Sequence, residues 1–76
     1  MNSQSARSTY VLNIFPAGRN ARVAEITDGE GNIIRLIHCP FELGNTLEER
    51  LDTEIRRDWE TMDSDTFAEK YRLNRD

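Results

Sequence analysis

The sequence predicts an α+β domain, a three-stranded antiparallel β-meander followed by one amphipathic helix and a short C-terminal helix. Three observations predict it. Runs rich in β-branched and aromatic residues recur before Pro40, turn-forming clusters separate them, and after Gly44 the apolar spacing changes from two to three or four.

Residues 1–8, MNSQSARS, are small and polar and show no periodicity, so they offer little burial to offset the entropy of ordering and are expected to form a flexible N-terminal tail. The single domain is expected over residues 9–76. Thr9 to Phe15 alternates, with Tyr10, Leu12 and Ile14 on one face and Val11, Asn13 and Phe15 on the other, which predicts a first strand. Pro16-Ala17-Gly18-Arg19-Asn20 lacks one backbone donor and supplies residues that tolerate tight turns, so the chain reverses there. A second strand is expected over Arg22 to Thr27. Asp28-Gly29-Glu30-Gly31-Asn32 is the strongest hairpin signal in the chain, and a third strand follows over Ile33 to Cys39. Ile33, Ile34, Leu36 and Ile37 make that strand apolar on both faces, whereas the second offers only Val23, Ala24 and Ile26. The third strand is therefore expected to be central or covered by a partner.

Pro40 ends the ladder, and Gly44-Asn45-Thr46 leads into a helix with Glu48 and Glu49 in its first turn, where carboxylates oppose the positive helix end. Leu47, Leu51, Ile55, Trp59 and Met62 form its apolar stripe, which predicts packing on the sheet. Asp63-Ser64-Asp65 interrupts the pattern, and Phe67, Tyr71 and Leu73 mark the short second helix.

At 76 residues the chain has room for one domain. Apolar residues are 37% and charged residues 32%, a globular balance. No apolar run approaches the ~18–20 residues that cross a bilayer, and no signal-peptide stretch opens the sequence, so the expected compartment is cytoplasmic with no membrane partner. The net charge is −4, unevenly placed: residues 1–40 carry +1 and residues 41–76 carry −5. Such a balance disfavours general affinity for a phosphate backbone.

Cys39 is the sole cysteine, which excludes an internal disulfide and a thiolate metal cluster. His38-Cys39 opens like the phosphate loop of cysteine phosphatases, but the glycine and arginine that loop needs are Glu42 and Asn45 here. Adjacent strand residues also point to opposite faces, so His38 cannot readily serve Cys39 as a base. The 28–32 loop places oxygens at alternate positions as a calcium loop does. An EF-hand, however, would need glycine at Ile33, glutamate at Cys39 and flanking helices. One His and one Cys cannot supply the usual zinc set. No glycine-rich phosphate loop or serine elbow is present. The chain is thus expected to be non-enzymatic, with no catalytic, metal or cofactor residues.

Two charged surfaces and one apolar one remain. The acidic helical region, represented by Glu48, Glu49, Asp52, Asp58 and Glu60, is a candidate contact for a basic protein surface, or a mimic of phosphates. Arg19, Arg22 and Arg35, with Tyr10 or Phe15 as stacking groups, form the alternative, a small nucleic-acid-binding surface. The apolar residues of the three strands exceed what two helices can cover on one side, which predicts a surplus face or edge for another chain, a homodimer partner included. Trp59 or Tyr71 is the candidate aromatic anchor if either is exposed, with Trp59 expected in the core. In size, acidity and lack of a catalytic set the chain resembles the small inhibitors and regulators encoded by phages and plasmids, anti-CRISPR and DNA-mimic proteins among them. The expected function is therefore a protein-binding inhibitor or regulator, its partner a protein or a nucleic-acid-handling complex.

Overall fold

The computed structural model describes residues 4–41, 46 and 50–73. The order of elements is α1 (Ala6–Thr9), β1 (Val11–Pro16), β2 (Ala21–Thr27), β3 (Ile33–Pro40), α2 (Leu51–Thr61) and α3 (Ser64–Tyr71). The three strands form one antiparallel sheet in the order β1-β2-β3, so the predicted α+β meander is the fold.

Both hairpins rest on the residues that predicted them. Ala17 N–H bonds Ala21 C=O at 3.0 Å while Gly18 adopts φ 88°, a left-handed conformation that a Cβ would strain. In the second turn the Asp28 carboxylate accepts from Glu30 N–H at 2.8 Å, Asn32 N–H at 2.9 Å and Asn32 Nδ2 at 3.1 Å. These bonds hold the Asp28 carboxyl below its usual range, the Asn32 backbone donor being the leading cause. The loop oxygens that resembled a calcium loop are therefore spent in part on the turn itself.

The expectation that the third strand is central is corrected. Two short turns force each strand to pair with its chain neighbour, which puts β2 in the middle and leaves β3 an edge. The burial follows position rather than hydrophobicity. Ala24 and Ile26 of β2 are fully buried, whereas Ile33 and Leu36 of β3 are exposed.

One sheet face carries Leu12, Ile14, Ala24, Ile26, Ile37 and Cys39, and the helices pack against it. Ile55 from α2 and Phe67 from α3 are fully buried there, and the Phe67 ring lies 5.9 Å from Tyr10 and 5.0 Å from Tyr71. The Trp59 indole donates to the Tyr10 carbonyl at 2.9 Å, tying α2 to the entry of β1.

The flexible-tail expectation for residues 1–8 is also corrected, for the described residues 4–8. Ser5 caps α1 by accepting from Ser8 N–H at 3.2 Å. Ala6 N–H bonds Met62 C=O at 3.0 Å, and Ser64 N–H bonds Gln4 C=O at 2.7 Å. Ala6 is wholly buried in the elbow between α2 and α3, where a side chain of one carbon allows the backbones to approach. The predicted start of the main helix shifts as well. Thr46 is not helical, Glu48 and Glu49 lie outside the described residues, and α2 begins at Leu51 with Arg50 as its cap residue.

Candidate functional site: the open face of the sheet

Side-chain alternation and register together define a second face of the sheet, away from the helices. Phe15, Val23 and His38 form one cross-strand row, Asn13, Glu25 and Leu36 the next, and Val11, Thr27 and Ile33 the third. Four large apolar residues here are solvent-exposed: Val11 48%, Phe15 41%, Ile33 56% and Leu36 57%. Glu25 stands at the centre, its carboxylate accepting from Asn13 Nδ2 at 3.4 Å. A bulge between Ile26 and Thr27 shifts the register, so Ile33 joins this face while Ile34 packs on the helical side.

Among the described residues the predicted acidic surface is not gathered in one place. Asp52 is 4% exposed, and the Arg50 guanidinium grips it with two bonds at 3.2 and 3.0 Å while Arg22 Nη1 lies 3.7 Å away. The same two guanidinium groups cover the Phe41 ring, Arg50 at 4.0 Å and Arg22 at 5.8 Å from its centroid. Asp52 is therefore a clasp joining α2 to the ends of β2 and β3, and it opposes the positive end of α2. Asp58 is buried on another side of the helix. It accepts from the Tyr71 hydroxyl at 2.5 Å and from Lys70 Nζ at 2.6 Å, and Lys70 also reaches Glu54 at 2.8 Å. Both aspartates were expected on the acidic contact surface, and their burial corrects this. Of the predicted contact residues that are described, Asp52, Asp58 and Glu60, only Glu60 is exposed; Glu48 and Glu49 lie outside the described residues.

The nucleic-acid constellation is dispersed too. Arg22 pairs opposite Cys39 and Arg35 opposite Ile26, four residues apart along β2, or about 13 Å. Arg22 is engaged with Asp52 and Phe41, and Arg19 is exposed in the first turn. Tyr10 packs against Phe67, and burial, with a smaller effect from Asp65, raises its hydroxyl pKa. Phe15 is exposed on the face opposite to Arg22 and Arg35.

His38 and Cys39 diverge. Cys39 is wholly buried with its Sγ 3.5 Å from Ile37 C=O, and burial first, then the Asp52 charge, pushes its thiol pKa up. His38 is exposed on the open face. Of the anchor candidates, neither meets the condition of exposure: Tyr71 is core at 8% exposure, and Trp59 is partly buried against the core. Among the described residues no helix is long and apolar enough to cross a membrane, and no group of three or more His, Cys, Asp or Glu is placed to hold a metal ion.

The open face was foreseen as a surplus. Its members were not, because choosing Val11, Phe15, Ile33 and Leu36 over Leu12, Ile14 and Ile37 requires knowing which side the helices take. Compared with known protein families, with curated proteins and with solved structures, the chain shows no match.

Proposed function

We propose that this chain is a non-enzymatic protein-binding module, an inhibitor or regulator that docks through the open face of its sheet. The observation that carries the reading is the set of four exposed apolar residues, Val11 and Phe15 on β1 and Ile33 and Leu36 on β3, each 41% exposed or more, on the sheet face away from the helices. Exposed apolar side chains on one face have a free-energy reason to be covered, at roughly 25 cal/mol per Å² removed from water. Glu25 at the centre bears on what covers it. Two copies facing each other about an axis through that point would bring two carboxylates together in a drying interface. The partner this reading favours is a different protein that presents apolar groups around a cation or hydrogen-bond donor.

The test uses tagged protein as bait in native-host lysate, with and without nuclease, comparing the wild type with a Phe15→Asp/Leu36→Asp variant and an Arg19→Glu/Arg22→Glu variant. A protein captured despite nuclease, lost with the face variant and kept by the arginine variant, is the expected result. Capture that survives the face variant, or that disappears with nuclease and with the arginine variant, refutes it.

A further inference from the structure

The β3 edge and the groove beside it carry an inference independent of the open face. β3 is an edge strand, and among the described residues no strand pairs with its outer side. Edge strands are commonly guarded by charge, proline or a bulge. Here the bulge and Pro40 lie at the two ends, and Arg35 is the one charged residue between them.

On the helix side of this edge lies an open groove of about 210 Å³, lined by Arg35 and Ile37 of β3, Leu51 of α2, and Lys70, Tyr71 and Arg72 at the end of α3. Three cations meet at one groove in a chain whose net charge is −4. Lys70 is occupied by Asp58 and Glu54. Among the described residues no ion pair engages Arg35 or Arg72. Arg72 is held at the rim by its own backbone. It takes the left-handed conformation, φ 57°, and Leu73 N–H closes the helix on Ala68 C=O at 2.8 Å while the Leu73 side chain is buried. This conformation favours glycine or asparagine, so a long cationic side chain there is unusual.

We infer that the β3 edge accepts an extended segment of a partner protein as a fourth antiparallel strand, with acidic side chains at alternate positions directed into the Arg35–Arg72 groove. An added strand continues the sheet's alternation. Its side chains on the helix side neighbour Arg35 and Ile37, where guanidinium groups bind carboxylates in forked pairs. Those on the other side neighbour Leu36 and extend the apolar face. The recognised segment thus alternates acidic with apolar residues, main-chain bonds giving affinity and the groove giving preference for negative charge.

The experiment titrates the isotope-labelled chain with a short blocked peptide alternating valine and glutamate, and separately with the valine–lysine counterpart. The expected result is shifts and slowed amide exchange along Ile34 to His38 with the glutamate peptide, and affinity at least about tenfold weaker for the lysine peptide or for the Arg35→Glu/Arg72→Glu variant. Arg35→Gln/Arg72→Gln serves if charge reversal perturbs the fold, which the dispersion of the amide spectrum reports. No shifts in β3 at millimolar peptide, equal binding of the lysine peptide, or affinity unchanged in the arginine variants overturns the inference. A Phe15→Asp variant separates the two surfaces, since it leaves edge binding intact; loss of peptide binding in that variant would move the peptide to the open face and overturn the edge assignment.

Discussion

Replacing Asp58 with alanine tests whether this carboxylate is structural or part of a contact surface. The substitution leaves the Tyr71 hydroxyl, in a residue 8% exposed, without the acceptor it holds at 2.5 Å. A buried hydroxyl stripped of its partner costs about 1–3 kcal/mol. Lys70 is 38% exposed in its side chain and keeps Glu54 at 2.8 Å, so its loss adds only about 0–1 kcal/mol. The expected destabilisation is about 1–4 kcal/mol, a large share of the roughly 4–11 kcal/mol that a domain of this length has in total. Urea unfolding followed by Trp59 fluorescence and by far-ultraviolet circular dichroism measures it, and the thermal midpoint should fall by roughly 6–25 °C. Glu60→Ala, on the exposed side, should stay within about 0.5 kcal/mol of the wild type. In a double-mutant cycle Asp58→Ala with Tyr71→Phe should be less destabilising than the sum of the two single changes, by about 1–2 kcal/mol, because the orphaned hydroxyl is gone. Asp58→Ala within about 0.5 kcal/mol of the wild type, or a cycle with no coupling, would refute the reasoning and return Asp58 to the surface.

The remaining predictions concern the turn, the thiol, the N-terminal segment and alkaline pH. Asp28→Ala should loosen the β2–β3 turn, seen as faster amide exchange at Glu30 and Asn32. The folded pKa of Asp28 is lowered, so its contribution is present above the ordinary carboxylate value of 3.8 and is lost as pH falls through the lower folded value; unfolding midpoints in mild acid should show this loss in the wild type and not in Asp28→Ala. Cys39 should react with a thiol reagent only as fast as the chain opens, and immediate labelling of the native protein would contradict its burial. Ala6→Asp places an unpaired charge in the elbow between α2 and α3 and should destabilise by about 3 kcal/mol or more; an effect below about 0.5 kcal/mol would mean that the segment is not docked. Tyr71 and Lys70 both have raised folded pKa values, Tyr71 through burial and its bond to Asp58, Lys70 through its bonds to Asp58 and Glu54. Their contributions are fully present below the ordinary values of 10.0 and 10.5 and are lost as pH rises toward the folded ones, so stability should decline above about pH 10, and less steeply in Tyr71→Phe.

What the sequence determined by itself is the local grammar. Alternation marked the three strands, Gly18 and the Asp28–Asn32 cluster marked the turns, and four-residue spacing marked the helices, because each depends on neighbours a few positions away. The α+β class and the surplus of apolar strand residues followed from the same patterns. The strand order was also within reach: short connections make the middle strand central whatever its composition, and weighing hydrophobicity above connectivity pointed to β3 instead.

Only the tertiary structure decided which carboxylates are surface. Asp52 and Asp58 read as two of many acidic residues on a helix. Their burial depends on Arg22, thirty residues before Asp52, and on Lys70 and Tyr71, which follow Asp58 on the next helix. Residues 5–8 carry no periodic signal, and α1 exists because Ala6 fits an elbow made by Met62 and Ser64 at the far end of the sequence. The open face was likewise decided by where α2 and α3 lie, since an alternating strand is amphipathic in either direction until something covers one side. The physical reason is common to these cases. Propensity and periodicity act over a few residues, whereas desolvation and ion pairing depend on whatever the fold brings within a few ångströms, and a linear pattern does not contain that distance.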